Sequence, residues 1–126
     1  GVHAMIDLSD GLAGDVRHLL APKNHGVLIE AARLPVAPET AALCRRLGVP
    51  PWRIALEGGE DFELLAAVRA ADADAVSRNV RRAAGLPCTD IGEILPPGSG
   101  TWVRTPTGRT RALEGGWEHG ARGRRA

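Results

Sequence analysis

Val2-His3-Ala4-Met5-Ile6-Asp7-Leu8-Ser9-Asp10-Gly11-Leu12-Ala13 sets an apolar run against two aspartates that bracket a serine, then a glycine and a second apolar stretch. This order predicts a short buried strand over residues 2–6 that passes through an acidic turn into a helix, with Ser9 or Asp10 placed to cap it. Leu12, Val16, Leu19 and Leu20 recur at i, i+4, i+7 and i+8, so the helix is amphipathic and leaves Asp15, Arg17 and His18 on its solvent side. Pro22 ends it. Val27-Leu28-Ile29-Glu30 then supplies a second strand ahead of extended Leu34-Pro35-Val36.

Strands and helices keep alternating downstream. A helix over residues 38–47 follows from proline in its first turn, the Leu43 and Leu47 pair and a closing Gly48, and Pro50-Pro51 predicts a break. Residues 62–68 are almost continuously apolar, as expected of a central strand covered on both faces. Ala73, Val76, Val80, Ala83 and Ala84 stripe a helix over residues 70–84 that Gly85 and Pro87 stop. Residues 89–95 predict a further strand before a Pro96-Pro97-Gly98 turn. Residues 102–104 and 109–113 predict a hairpin around Pro106-Thr107-Gly108. No segment repeats. The fold class expected is α/β (α+β), a mixed sheet covered by helices, with residues 1–120 as one domain and 121–126 as a disordered tail.

Composition narrows the function classes. At 126 residues the chain can bury a proper core, and 44% hydrophobic with 25% charged residues is the balance of a globular protein, not a disordered or fibrous one. A net charge of +1 gives no field for recruiting nucleic acid. No apolar run nears the roughly 20 residues that span a bilayer, so no membrane partner is expected. Cys44 and Cys88 have no CxxC spacing and no secretory leader precedes them, which predicts reduced thiols and a cytoplasmic location. The chain opens on Gly1 and enters a strand at once, which predicts missing upstream sequence.

The chemistry concentrates in two acidic segments, Asp7-Leu8-Ser9-Asp10-Gly11 and Gly58-Gly59-Glu60-Asp61-Phe62-Glu63. If Asp7, Asp10, Glu60 and Asp61 converge, any two of them about 4 Å apart repel by roughly 4 kcal/mol at an effective dielectric of 20, and a cation must sit between them. Oxygen donors of this hardness suit Mg2+. The helix start beside the first segment offers amides and a positive dipole end to a phosphate. Each segment also has a plain structural reading, as a helix cap or as a tight turn. Trp117, flanked by Gly115 and Gly116, can lie over a cation for about 0.5–2 kcal/mol or simply cover the core. His3, His18, His25 and His119 lack zinc-like spacing, the terminal arginines form a solvated tail, and no Walker loop occurs.

Four stretches taken in order carry a resemblance: residues 4–13, residues 55–64, Ile91-Gly92-Glu93-Ile94 and Gly116-Trp117-Glu118-His119. Together they resemble the carboxy-terminal half of the thiamine-monophosphate kinases, in the superfamily that also holds aminoimidazole ribonucleotide synthetase and selenophosphate synthetase. The resemblance implies ATP- and Mg2+-dependent phosphorylation of thiamine monophosphate to thiamine diphosphate, by direct in-line transfer with no phosphoenzyme and so no catalytic nucleophile. By motif position it implies Asp7 and Asp10 as magnesium ligands, Ser9 as an ATP contact, and Glu60 and Trp117 as contacts to the thiamine portion. Phe62 stands where the family commonly has Tyr, Glu118 where it has Asp, and Gly120 where an aromatic residue usually follows the histidine. The family's amino-terminal half, with its further metal ligands, nucleotide contacts and dimer interface, is absent. The chain is therefore expected to be inactive alone and homodimeric when complete. Two rivals stay open: a superfamily relative acting on another small metabolite, and a non-catalytic remnant that binds a ligand or partner.

Overall fold

The computed structural model describes residues 1–58 and 63–114. Six strands divide between two sheets. β1 (Val2–Asp7) pairs antiparallel with β3 (Leu64–Val68) as a two-stranded ribbon, Asp7 opposite Leu64. β2 (His25–Glu30) lies inside a four-stranded mixed sheet, antiparallel to β4 (Gly92–Pro97) on one side and parallel to β5 (Thr101–Arg104) on the other. β6 (Thr110–Ala112) closes that sheet as the antiparallel hairpin partner of β5.

Four helices fill the connections: α1 (Leu12–Leu20), α2 (Pro38–Leu47), α3 (Pro51–Glu57) and α4 (Ala73–Ala84). α2 has the expected bounds. Pro38 sits in its first turn, where a missing N–H costs nothing, and Gly48 takes a left-handed conformation at φ 70° to close it. Leu12, Ala13, Val16 and Leu20 of α1 pack with Val27 and Ile29 of β2, Val103 of β5 and Leu56 of α3 into one core, joined by Leu8 from the turn before α1. The Arg111 guanidinium of β6 stands 5.9 Å from the Trp52 ring, which ties α3 to the hairpin.

The mixed sheet with helices is as expected, but three local expectations are corrected. Residues 62–68 do not supply a central strand covered on both faces: β3 belongs to the two-stranded ribbon and Leu64 is 69% exposed. That position belongs to β2, whose Gly26, Val27, Leu28 and Ile29 are all buried. An apolar run reports what a strand is made of, while its number of neighbours is decided elsewhere in the chain. Pro50-Pro51 does break the chain after α2, but a helix that was not expected follows at once. Pro50 is extended and Pro51 starts α3, where its fixed φ already suits a helix. Finally, β4 begins at Gly92 and runs through Pro96 and Pro97, which an edge strand tolerates because no ladder donor is required there.

The ribbon and the larger sheet adjoin across an apolar cavity of about 60 Å3, bordered by Leu65 and Ala67 of β3, Ile94 of β4, and Val16, Leu20 and Ile29. Both cysteines are free, Cys44 buried and Cys88 exposed. Among the described residues no helix is long and apolar enough to cross a membrane. The tail expected over residues 121–126 lies outside the described residues.

Gly92 sits so close to β2 that a Cβ there would stand 2.2 Å from the Leu28 carbonyl oxygen. Gly92→Ala must part these two strands or shift one of them, and it is expected to destabilise the chain by about 1–3 kcal/mol. Urea denaturation checks this as a lower midpoint at unchanged slope.

Candidate functional site

β1 ends on Asp7, and the chain turns through Leu8, Ser9 and Asp10 to Gly11, the residue that caps α1. Leu8 is buried in the core and anchors the turn, whereas Asp7 and Ser9 are exposed and Asp10 is half-buried. One apolar side chain thus holds down a loop whose polar side chains face outward. Gly11 has φ 101°, a conformation that side-chain-bearing residues rarely adopt.

Asp15 was expected on the solvent side of α1, and the structure places it 2% exposed. Its Oδ2 accepts the backbone N–H of Ser9 at 2.9 Å and of Asp10 at 3.0 Å. The helix is therefore not capped by Ser9 or Asp10 side chains. The cap residue is Gly11, and a carboxylate from the first turn of the helix reaches back to the two amides before it. The cause is positional: Asp15 lies at i+3 from Leu12, on the edge of the buried stripe, and the turn folds down onto it. Hydrogen bonds to a charged acceptor contribute about 1.5–3 kcal/mol each, and an acid in the first turn also suits the helix dipole. Asp15 Oδ1 stands 3.8 Å from Nδ1 of the exposed His18. Arg17, also expected in solvent, donates from Nη1 to the Leu113 carbonyl at 3.0 Å.

The two amides of the turn before the helix are thus engaged by a carboxylate and not open to an anion. The loop offers carboxylates to a cation instead. Among the described residues, the one group of three possible metal donors is Asp10, Asp15 and His18, with one ligand atom of each within 4.8 Å of the others. Asp15 Oδ2 is committed to two amides, and the other carboxylates of the turn are the exposed Asp7 and the half-buried Asp10. Such oxygen donors fit Mg2+, which binds through one or two carboxylates and keeps waters and phosphates as its other ligands.

The second acidic segment meets the first at both ends of its central portion. The Leu8 amide donates to the Glu63 carbonyl at 2.8 Å, the next step of the β1–β3 ladder beyond Asp7 and Leu64. On the other side, a Cβ on Gly11 would lie 2.8 Å from the Gly58 carbonyl oxygen and 3.2 Å from that of Glu57, at the end of α3. Gly58 and Glu63 are therefore both seated on the Asp7–Gly11 turn. Glu60 and Asp61 between them, and Trp117, lie outside the described residues.

The family described as AIR synthase related protein, C-terminal domain, matches residues 1–103. The chain belongs to this family. It is 32% identical over 120 residues to the thiamine-monophosphate kinase of Rhodopirellula baltica, covering 94% of this chain and 37% of that protein. It is also 32% identical over 106 residues to carbamoyl dehydratase HypE of Cupriavidus necator, covering 82% of this chain and 29% of the relative. Among solved structures, AaThiL complexed with AMPPCP and TMP superposes with a TM-score of 0.70 at 30% identity, covering 94% of this chain and 34% of that one. HypE of E. coli superposes with a TM-score of 0.75 at 27% identity, covering 90% of this chain and 35% of that one. The chain thus spans little more than a third of the curated relative from Rhodopirellula.

Gly11 is the contact on which the two acidic segments close. Gly11→Ala adds a methyl group against the Gly58 carbonyl in a backbone conformation alanine resists, so a loss of about 1–3 kcal/mol is expected. Amide hydrogen exchange checks the mechanism: the Leu8 N–H, bonded to Glu63 in the parent, should exchange faster in the variant while amides of β2 keep their rates relative to global unfolding.

Proposed function

We propose that this chain supplies the carboxy-terminal half of a site for ATP- and Mg2+-dependent phosphorylation of thiamine monophosphate to thiamine diphosphate, a step of thiamine biosynthesis. The observation that carries the reading is the seating of Gly58 and Glu63 on the Asp7–Gly11 turn, which anchors both ends of the second acidic segment beside the first. The similarity to thiamine-monophosphate kinases and to a structure complexed with AMPPCP and TMP supports the choice of substrates.

In this reading Asp7 and Asp10 hold the metal and Ser9 contacts ATP. Glu60 and Trp117 contact the thiamine portion, the indole suiting a cationic ring. Mg2+, when bound, supplies charge neutralisation at the phosphate oxygens. An oxygen of the thiamine monophosphate phosphate attacks the γ-phosphorus, the bond from that phosphorus to the β–γ bridging oxygen breaks, and ADP leaves. No protein nucleophile takes part, so the residues act by positioning and by charge. The remaining metal ligands and nucleotide contacts come from an amino-terminal half. The assembled enzyme is a cytoplasmic homodimer, and the chain alone does not turn over. Support for that division is the chain's coverage of 37% of the Rhodopirellula kinase.

A second reading keeps the fold and takes a carbamoyl substrate in place of thiamine monophosphate. It is favoured by the HypE relatives, whose backbone matches this one as well as the kinase's does.

Joining this chain to the amino-terminal portion of a thiamine-monophosphate kinase and assaying thiamine diphosphate tests the proposal. Mg2+-dependent product is expected, and Asp7→Asn and Asp10→Asn should each lower its rate by about 100-fold or more. Full activity in both variants overturns the metal assignment. ATP consumption with a carbamoyl substrate and none with thiamine monophosphate favours the second reading.

A further inference from the structure

We propose that Asp15 is a positioning residue for the acidic turn: its buried carboxylate fixes the Ser9–Asp10 backbone and so sets where the side chains of Asp7, Ser9 and Asp10 project. The proposal rests on the reading of that turn as a cation site and names a residue for which that reading has no role. Three observations carry it. Asp15 is 2% exposed at the start of a helix whose other charged groups, Arg17 and His18, reach water at least in part. A single oxygen, Oδ2, gathers two consecutive amides at 2.9 and 3.0 Å. The Asp15 amide itself donates to the Gly11 carbonyl at 2.9 Å, so side chain and backbone grip the turn from both ends.

The physical need is specific. The turn carries an exposed carboxylate at Asp7 and a half-buried one at Asp10, and where they project depends on how its backbone is held. Amides offered to a buried carboxylate are among the stronger restraints available, because a charged acceptor strengthens each hydrogen bond. Outer groups that orient metal-binding residues typically change metal affinity by 10–100-fold when removed. His18 separates this role from direct ligation, since it is Oδ1 of Asp15 that faces its ring. If Asp15 bound a cation as one of the cluster with Asp10 and His18, removing His18 would weaken binding. A positioning role leaves His18 uninvolved.

The test uses the full chain and Mn2+ as the probe, with two readouts on Asp15→Leu, Asp15→Asn and His18→Ala. Amide exchange by NMR is expected to speed up at Ser9 and Asp10 by on the order of 100-fold in Asp15→Leu, with β2 amides unchanged relative to global stability. Mn2+ affinity, followed by electron paramagnetic resonance, should fall by about tenfold or more in the same variant. Asp15→Asn keeps one carbonyl oxygen for both amides and should fall between the parent and Asp15→Leu in both readouts. It also carries the test should Asp15→Leu fail to fold. His18→Ala should bind Mn2+ as the parent does. Unchanged Ser9 and Asp10 exchange in the Asp15 variants overturns the proposal, as does parental Mn2+ affinity in variants whose amides are released. Loss of Mn2+ binding in His18→Ala assigns Asp15 to the ligands instead and overturns the positioning role. A parent chain with no Mn2+ affinity, its Ser9 and Asp10 amides still protected by Asp15, overturns the cation reading of the turn and with it the role of Asp15 in that site.

Discussion

One backbone hydrogen bond, from the Leu8 amide to the Glu63 carbonyl at 2.8 Å, extends the β1–β3 ladder one step past its last strand pair and binds the two acidic segments together. Much of what the site can do follows from it. The ladder decides that Asp7 ends its strand opposite Leu64, so the chain leaves both strands on the same edge of the ribbon. Leu8, buried beside Leu12 and Leu56, stops the turn from lifting off. The absent side chain of Gly11 then lets the end of α3 come within van der Waals contact from the other side. The core is thus arranged so that two stretches far apart in sequence share one surface.

That arrangement gathers negative charge where water still reaches it. Asp7 is exposed and Asp10 half-buried, while Asp15 is buried and accepts two amides of the same turn. A buried polar group is tolerated when its atoms find hydrogen-bond partners. The result is a buried carboxylate beneath a turn that carries the exposed Asp7 and the half-buried Asp10. Carboxylate oxygens of this hardness suit an oxygen-seeking divalent cation.

The sequence discloses the site's chemistry more readily than its support. The bounds of α2 are legible because proline at its first turn and glycine just past its end act locally. The α1 periodicity is legible too, since Leu12, Val16 and Leu20 meet the core at helical spacing. α3 is hidden because Pro50-Pro51 serves equally as a breaker and as a helix start, and only the packing of Leu56 and Trp52 chooses between them. The misplacement of β3 has a related cause: Leu64 and Leu65 have the same apolar character, yet one faces out and the other lines the cavity by α1. Asp15 is the instructive miss. Its neighbours Arg17 and His18 are polar, and a carboxylate among them suggests solvent. The signal available was its i+3 spacing from Leu12. Glu60 and Trp117, for which the sequence argument is the fullest, fall outside the described residues.

The central claim is that a cation held by Asp7 and Asp10 sits where the two acidic segments meet. Substoichiometric Mn2+ added to the isotopically labelled chain tests it most directly, through the paramagnetic broadening of backbone amide resonances. The account predicts that Leu8, Ser9 and Gly11 broaden at the same Mn2+ level as Gly58 and Glu63, while Gly85 and Gly108 stay sharp. Broadening of the first group without the second, or spread over the acidic residues of the whole surface, would contradict it.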